Sequence, residues 1–306
     1  VTRAALVAAL IVLPLVLSAV VDLALLAREG THVPEDREYT DARDALLRDG
    51  FDAQNDVIAI LPAWSLRPLQ ATHDLPWISG DLLWERPLDR HRRVYVVVER
   101  DGEEAFERVR EGPYAATRVI ETRALALWRI DVGGPHVTTD FARDLSRADV
   151  RIVDASGTTL TTCAEPVRGG FRCAGRKPWQ RVTRERALVT ENGDDVVWAH
   201  APPKGETIEV RFADVTLGNS VVLRAGHTRT GSDKARAPVD VDVLFENEIL
   251  LARAVPPRFH FATDRIDTQA RSGARGTLTI RIHTVDESSQ HFAFDGFVSN
   301  APEASR

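Results

Sequence analysis

Two stretches of this sequence carry side chains whose types and spacing could do chemistry. The first runs Pro62-Ala-Trp64, then Trp77-Ile-Ser-Gly-Asp81, then Arg86-Pro-Leu-Asp-Arg90-His-Arg-Arg93. Tryptophan rings stack on sugar faces, and arginine forks hold phosphate or carboxylate. Trp64, Asp81, Arg90, His91 and Arg93 are therefore candidate ligand contacts, against the alternative of rings packed under a long loop and arginines on a solvated face. The second stretch holds Trp198, His200, His227, Asp240, Asp242, Arg281, His283, His291 and Asp295. A sugar site needs an aromatic platform and convergent polar groups, and Trp198, His200, Asp240, Asp242, Arg281 and His283 are its candidates. The alternative is cross-strand ion pairs worth a few tenths of a kcal/mol and satisfied structural histidines. Asp240-Val-Asp242 is not read as a metal motif, because alternation puts both carboxylates on one strand face.

No catalytic residue, cofactor or metal is expected. The sequence contains no G-x-G-x-x-G, P-loop, H-E-x-x-H or G-x-S-x-G. The two cysteines, Cys163 and Cys173, have no histidine partners at zinc-ligand spacing. They flank a Gly169-Gly170 turn signal between the strand-like runs 158–162 and 171–172, so a hairpin would bring the sulfurs together. A disulfide is expected, the alternative being two unpaired core residues.

The elements that position these groups fall into three zones of the 306 residues: 1–29, 35–148 and 149–300. From Ala4 to Val21 the chain is apolar, and Leu23 to Ala27 continues the run beyond Asp22. At about 1.5 Å per residue this approaches the roughly 30 Å of a bilayer core. Arg3 gives the positive flank of an N-in, C-out signal anchor. A cleaved signal peptide and the last span of a truncated polytopic protein are the alternatives. Each puts the remainder outside the cytoplasm. The favoured expectation is a single pass through a bacterial inner membrane, with the bulk of the chain periplasmic. The bacterial assignment follows from 3 lysines against 36 arginines, which points to a GC-rich genome. With no methionine at all, Val1 reads as an alternative start or as the edge of a fragment.

Residues 35–148 alternate helix and strand: a helix over 41–50, buried strands at 57–61 and 94–98, an acidic amphipathic helix over 101–111, then strands at 118–123 and 124–128. This is a small α/β layer, whose ligands would sit beyond the strands' carboxyl ends, near Trp64 and Asp81. Residues 149–300 alternate with period two, as in Thr207–Phe212, Val239–Phe245 and Leu278–Ile282, between Gly/Asn/Asp turns. Many short strands indicate an all-β sandwich of jelly-roll type. The fold class is α+β multidomain: transmembrane helix, α/β domain, β-sandwich. The segment 177–195 reads only as strand or long loop. The net charge of −6 divides as about −7 over 28–150 and about +1 beyond, which supports a boundary near 150. With neither half basic, nucleic acid is not an expected partner.

The residues Asp56-Val-Ile-Ala-Ile-Leu-Pro-Ala-Trp64 and Leu88-Asp-Arg-His-Arg-Arg-Val-Tyr-Val96 resemble the extracytoplasmic domain that follows the last membrane helix in some bacterial family-39-type (GT-C) glycosyltransferases. That resemblance implies proximity to polyprenyl-phosphate-linked sugars. It does not imply transferase activity, since that family's catalytic acids lie in a loop between membrane helices that this chain lacks. In the second half, Trp198-Ala-His-Ala-Pro-Pro203, the Val-Thr-Leu-Gly218 step, Arg224-Ala-Gly-His227 and His291-Phe-Ala-Phe-Asp295 resemble carbohydrate-binding-like jelly-roll modules. Together these imply an anchored envelope protein, non-catalytic, that binds glycan or a glycan-handling membrane partner. The alternatives are an accessory or catalytic part in polyprenyl-linked sugar transfer, with chemistry around Asp81 and Arg90–Arg93, and a scaffold without ligand.

Overall fold

The computed structural model describes residues 33–80, 82–187, 194–288 and 290–301. The expected anchor over 1–29 lies outside the described residues. Among those described, no helix is long and apolar enough to cross a membrane. The molecule is mostly β-sandwich, with few helices.

The α/β layer begins with α1 (Asp36–Arg48), where Glu35 and Glu38 form a reciprocal capping box. The cap starts the helix five residues ahead of the periodic apolar signal, because it satisfies the backbone N–H groups of the first turn. Tyr39, Ala42, Ala45 and Leu46 share its buried face. The sheet contains β1 (Asp56–Leu61), β2 (Arg93–Glu99), β3 (Ala116–Glu121) and β4 (Leu125–Asp131), in the order β1-β2-β4-β3. Only β1 and β2 are parallel. Both faces of β1 are covered, which is why its sequence is unbroken apolar rather than alternating. Ile58 and Ile60 pack towards α1, while Val57, Ala59 and Leu61 pack towards Phe106 and Val109 of α3 (Glu103–Arg110). The long crossover from β1 to β2 carries α2 (Arg67–Ala71) and a 3-10 turn (Leu83–Glu85). Within it, residues 76–78 run beside β1: Ile58 N donates to Pro76 O at 3.0 Å, and Ile78 N donates to Ile58 O at 2.8 Å. Gly80 then passes so close that a Cβ there would lie 1.9 Å from Ile60 O, so no larger residue fits.

The sandwich has two sheets. The eight-stranded sheet runs β16 (Ala262–Asp267), β13 (Ser220–His227), β18 (His291–Ser299), β11 (Asp194–His200), β10 (Arg181–Ala187), β9 (Gly170–Arg172), β8 (Glu165–Val167), with β5 (Val137–Asp140) also pairing β18. The six-stranded sheet runs β15 (Glu248–Val255), β14 (Val239–Phe245), β17 (Arg275–Thr284), β12 (Glu206–Thr216), β6 (Asp149–Asp154), β7 (Thr159–Thr162). A last helix, α4 (Arg229–Lys234), is capped by the Thr228 hydroxyl. Alternation places Val239, Val241 and Val243, with Ile208, Val210, Ile280 and Ile282, against Val221, Leu223, Phe292 and Phe294 of the facing sheet. The chain joins this sandwich at Val137, ahead of the charge step near 150, and Phe141, Ala142, Leu145 and Ala148 are already in its core.

Cys163 and Cys173 form a disulfide. They do not close a hairpin of the runs at 158–162 and 171–172. The hairpin is β8–β9, whose three-residue arms flank the Gly169 turn, and β7 belongs to the other sheet. Each cysteine follows the last residue of a strand, Cys163 after β7 and Cys173 after β9, so the bond ties one sheet to the other at the edge of the sandwich.

Candidate functional site

The outward face of the eight-stranded sheet is partly covered by the α/β layer. The covering segment is Leu88-Asp-Arg-His-Arg-Arg93, and its charged residues divide their work. Arg92 and Arg93 turn back into their own layer and converge on Asp56, with Nη2 to Oδ2 distances of 2.8 and 2.7 Å. Burial would raise the Asp56 carboxyl, but hydrogen bonds from these two guanidiniums hold it at about 2. Asp89 and Arg90 point the other way. Asp89, fully buried, accepts from Arg265 Nη2 at 2.6 Å and from the Ser299 hydroxyl at 3.0 Å. Arg90 lies over the Phe297 ring at 4.4 Å and donates to Asp140 (2.7 Å) and twice to Asp295 (2.9 and 2.6 Å). Asp295 also lies 3.5 Å from Arg224.

Above this clasp lies a cleft of about 340 Å³, walled on one side by Trp77, Ile78, Ser79, Arg86, Pro87, Arg90 and His91 and on the other by Asp140, Ala142, Arg143, Arg184, Arg186, Asp195, Arg224 and Asp295. Its position between two domains, its size and its mixed lining suit a small-molecule ligand. Trp77 stands on the edge segment beside β1, and the Arg186 guanidinium sits 4.7 Å from its ring centre. Deep in the cleft, burial would raise Asp295, but the charges of Arg90 and then Arg224 keep it below the usual carboxylate range. Burial, with Arg90 and Arg86 nearby, pushes His91 down to about 4, so its ring is neutral at pH 7. Asp295 is thus charged, and both it and Asp140 are engaged by Arg90, which suits holding a ligand rather than relaying protons.

Of the residues singled out in the sequence, the structure brings Arg90, His91 and Asp295 together in this cleft, with Trp77 and Arg86 from the same polar–aromatic stretch. Trp64 does not line it and is 66% exposed after the end of β1. Asp81 lies outside the described residues. Arg93 holds Asp56 and the backbone carbonyls of Asp49 and Gly50.

Trp198 and His200 lie on the same outward sheet face as Asp295 but form a separate packed group. Arg181 covers Trp198 at 5.2 Å, and the His200 and His291 rings are 5.5 Å apart. His200 is buried with Nδ1 3.1 Å from Ala201 O, and burial lowers its pKa. His227 is fully buried 3.4 Å from Val255 O. On the outer face of the other sheet, register sets Asp240 opposite His283 and Asp242 opposite Arg281. There the His283 nitrogens lie 3.8 Å from Asp240 and 3.7 Å from Asp242, and Arg281 donates to Glu209 at 2.8 Å. These four residues share a face, as adjacent strands require, with Arg281 bound to Glu209 and His283 between the two aspartates at longer range. Among the described residues, no group of three or more His, Cys, Asp or Glu side chains could hold a metal ion.

Sequence reasoning did not find Arg143, Arg184, Arg186 or Arg224. Arg184 and Arg186 belong to β10, inside the segment 177–195 that reads only as strand or long loop. Arg224 stands in a strand whose every residue is buried, where alternation gives no sign of which side chain faces the other domain.

No protein-family model matches the chain, and no curated protein matches it in sequence. Solved structures that match include carbohydrate-binding modules. They include the CBM51 from Clostridium perfringens GH95 in complex with methyl-galactose, at 13% identity over 49% of this chain and 87% of that one, with a TM-score of 0.27. The xylan-binding module CBM15 matches at 10% identity over 62% and 99%, with a TM-score of 0.28. Caldicellulosiruptor saccharolyticus CBM27-1 in complex with mannohexaose matches at 12% identity over 51% and 98%, with a TM-score of 0.31. Of a longer match, CBM51-2 in complex with GlcNAc and INT domains from Clostridium perfringens ZmpB, the chain spans 40%. Likenesses this distant carry no information about what the present chain binds.

Proposed function

We propose that this chain is a membrane-anchored, extracytoplasmic binding protein that holds a saccharide in the cleft between its two domains and performs no chemistry on it. The observation that carries the reading is the cleft itself. Trp77, Ile78 and Pro87 give it an apolar wall, and arginines and aspartates from both domains converge on the space beside that wall. The engagement of Asp140 and Asp295 by Arg90 supports the non-catalytic part. The disulfide supports an oxidising compartment, and the apolar run Ala4–Val21 supports the anchor. The likeness of the first domain to glycosyltransferase outer domains makes an accessory role beside polyprenyl-linked sugars the setting in which such binding would be used.

The test is a titration of the full chain with envelope oligosaccharides and a lipid-linked sugar, read by tryptophan fluorescence. Trp77→Ala is expected to weaken binding about tenfold, in line with the worth of one aromatic contact. Trp64→Ala, remote from the cleft, is expected to leave it unchanged. Saccharide binding that ignores Trp77, or no saccharide binding at all, would count against the reading.

A further inference from the structure

We propose that the cleft selects acidic saccharides, those carrying a phosphate or carboxylate group, and that Arg143 and Arg186 at its mouth grip that group. This rests on the saccharide reading above and sharpens it.

The charge balance of the lining points this way. Among the described residues of the lining, six arginines face three aspartates and His91 is neutral, an excess of three positive charges in a protein of net charge −6. Two of the three aspartates are occupied: Asp140 and Asp295 bind Arg90, while Asp195, 3.6 Å from Arg184, is the carboxylate of the lining left to accept from a sugar hydroxyl. Donors therefore outnumber acceptors in the cleft. Low-dielectric walls around one sign of charge concentrate the opposite ion locally, whatever the net charge of the whole molecule.

Two arginines are placed to act. Arg186 is exposed, and Trp77 holds its guanidinium at 4.7 Å. A guanidinium resting on a ring keeps its edge N–H groups free and has less rotational freedom to lose on gripping an oxyanion. Among the described residues, no carboxylate pairs with it. Arg143 is also exposed, and its nearest carboxylate, Asp144, is 3.9 Å away, beyond hydrogen-bond range. Planar forks of this kind fit carboxylate and phosphate oxygens in pairs. Arg90 and Arg224, by contrast, are committed to Asp295 and set the shape of the floor.

The experiment is calorimetric titration of the full chain and of its Arg143→Gln and Arg186→Gln variants with four probes: glucose, glucuronate, glucose 1-phosphate and inorganic phosphate. Both substitutions fall at exposed positions, and circular dichroism checks that each variant is folded. The expected result is that glucuronate or glucose 1-phosphate binds at least about tenfold tighter than glucose, that each substitution costs about tenfold for the acidic probes only, and that salt weakens them. The two acidic sugars distinguish carboxylate from phosphate as the preferred group. Equal binding of glucose and the acidic sugars overturns this inference and leaves the saccharide reading standing. Inorganic phosphate binding as tightly as glucose 1-phosphate supports the charge selection and overturns the saccharide reading. Binding of none of the four overturns the inference.

Discussion

Replacing Arg90 by glutamine removes the central charge of the clasp between the two domains. In the wild type, Arg90 makes three hydrogen bonds to the carboxylates of Asp140 and Asp295 and sits on the Phe297 ring. Asp295 is only 4% exposed, and after the substitution its remaining ion-pair partner among the described residues is Arg224, at 3.5 Å. Charged hydrogen bonds are worth about 1.5–3 kcal/mol each. Glutamine keeps part of the hydrogen bonding and water can enter from the cleft, so the expected loss is about 3–5 kcal/mol, the range for a buried pair broken on one side. The loss must depend on pH. In the wild type, the pKa of Asp295 lies below its ordinary value, so the stability it contributes is full above about 3.8 and falls only as pH drops through the lower folded value. In the variant, burial is opposed only by Arg224 and, less strongly, Arg86. The Asp295 pKa rises, and protonation then relieves the uncompensated charge. His91 also loses the repulsion of Arg90, which narrows the difference in the same direction. Urea unfolding followed by circular dichroism should therefore show a large deficit at pH 7 and a clearly smaller one at pH 4. Adding Asp295→Asn to Arg90→Gln should restore much of the deficit at pH 7. A deficit under about 1 kcal/mol at pH 7, or one equal or larger at pH 4, would refute the reasoning.

Breaking the Cys163–Cys173 bond, whose partners are 10 residues apart, should cost roughly 3 kcal/mol by the loop-entropy relation, read as a shift in urea midpoint on paired Cys→Ser substitution. Gly296→Ala should destabilise by about 1–3 kcal/mol or more, because its Cβ would lie 2.6 Å from both the Phe141 ring and Val222 O; a thermal scan checks this. His91, with its pKa pushed down to about 4, favours the folded state only while neutral. Its contribution of about 3 kcal/mol should be present above the unfolded value near 6.5 and be lost as pH falls towards 4, and His91→Gln should remove that part of the acid sensitivity. On the far sheet, His283→Ala should change stability by no more than about 0.5 kcal/mol and leave saccharide binding untouched, since its contacts with Asp240 and Asp242 exceed 3.5 Å on an open face.

The architecture of both domains was readable because their strands announce themselves in two different ways. Val57–Leu61 is apolar throughout because both its faces are covered, and Val239–Phe245 alternates because only one is. The site was half readable. The cluster Leu88-Asp-Arg-His-Arg-Arg93 stood out by its charge density, but its sequence does not tell which arginine turns inward. Arg92 and Arg93 are a step away from Arg90 and serve Asp56 instead. The sandwich half of the cleft was not legible. Asp140 and Arg143 precede the charge step used as a boundary, although the β5 pairing commits them to the sandwich. Arg224 and Asp295 face each other across a strand pair 71 residues apart in sequence. Such long-range register is a property of the assembled sheet, and no local window contains it. The tryptophans show the same limit: Trp64 and Trp77 look alike in sequence, and only the pairing of 76–78 beside β1 turns Trp77 into the cleft.

The place of β18 in the chain has a consequence for biogenesis. It follows every other described strand in the sequence, yet it lies mid-sheet, joined to β13, β11 and β5, and it brings Asp295, Phe297 and Ser299 to the other domain. Until residues 291–299 emerge, β13 and β11 are held apart with unpaired edges, Arg90 lacks Asp295, and Asp89 lacks the Ser299 hydroxyl. The first domain can form its own sheet early, but the cleft exists only after the final strand inserts. A nascent chain therefore waits, without its cleft, with two open strand edges that a neighbouring chain could capture. Loss of a few residues from β18 would leave a product that expresses but does not mature.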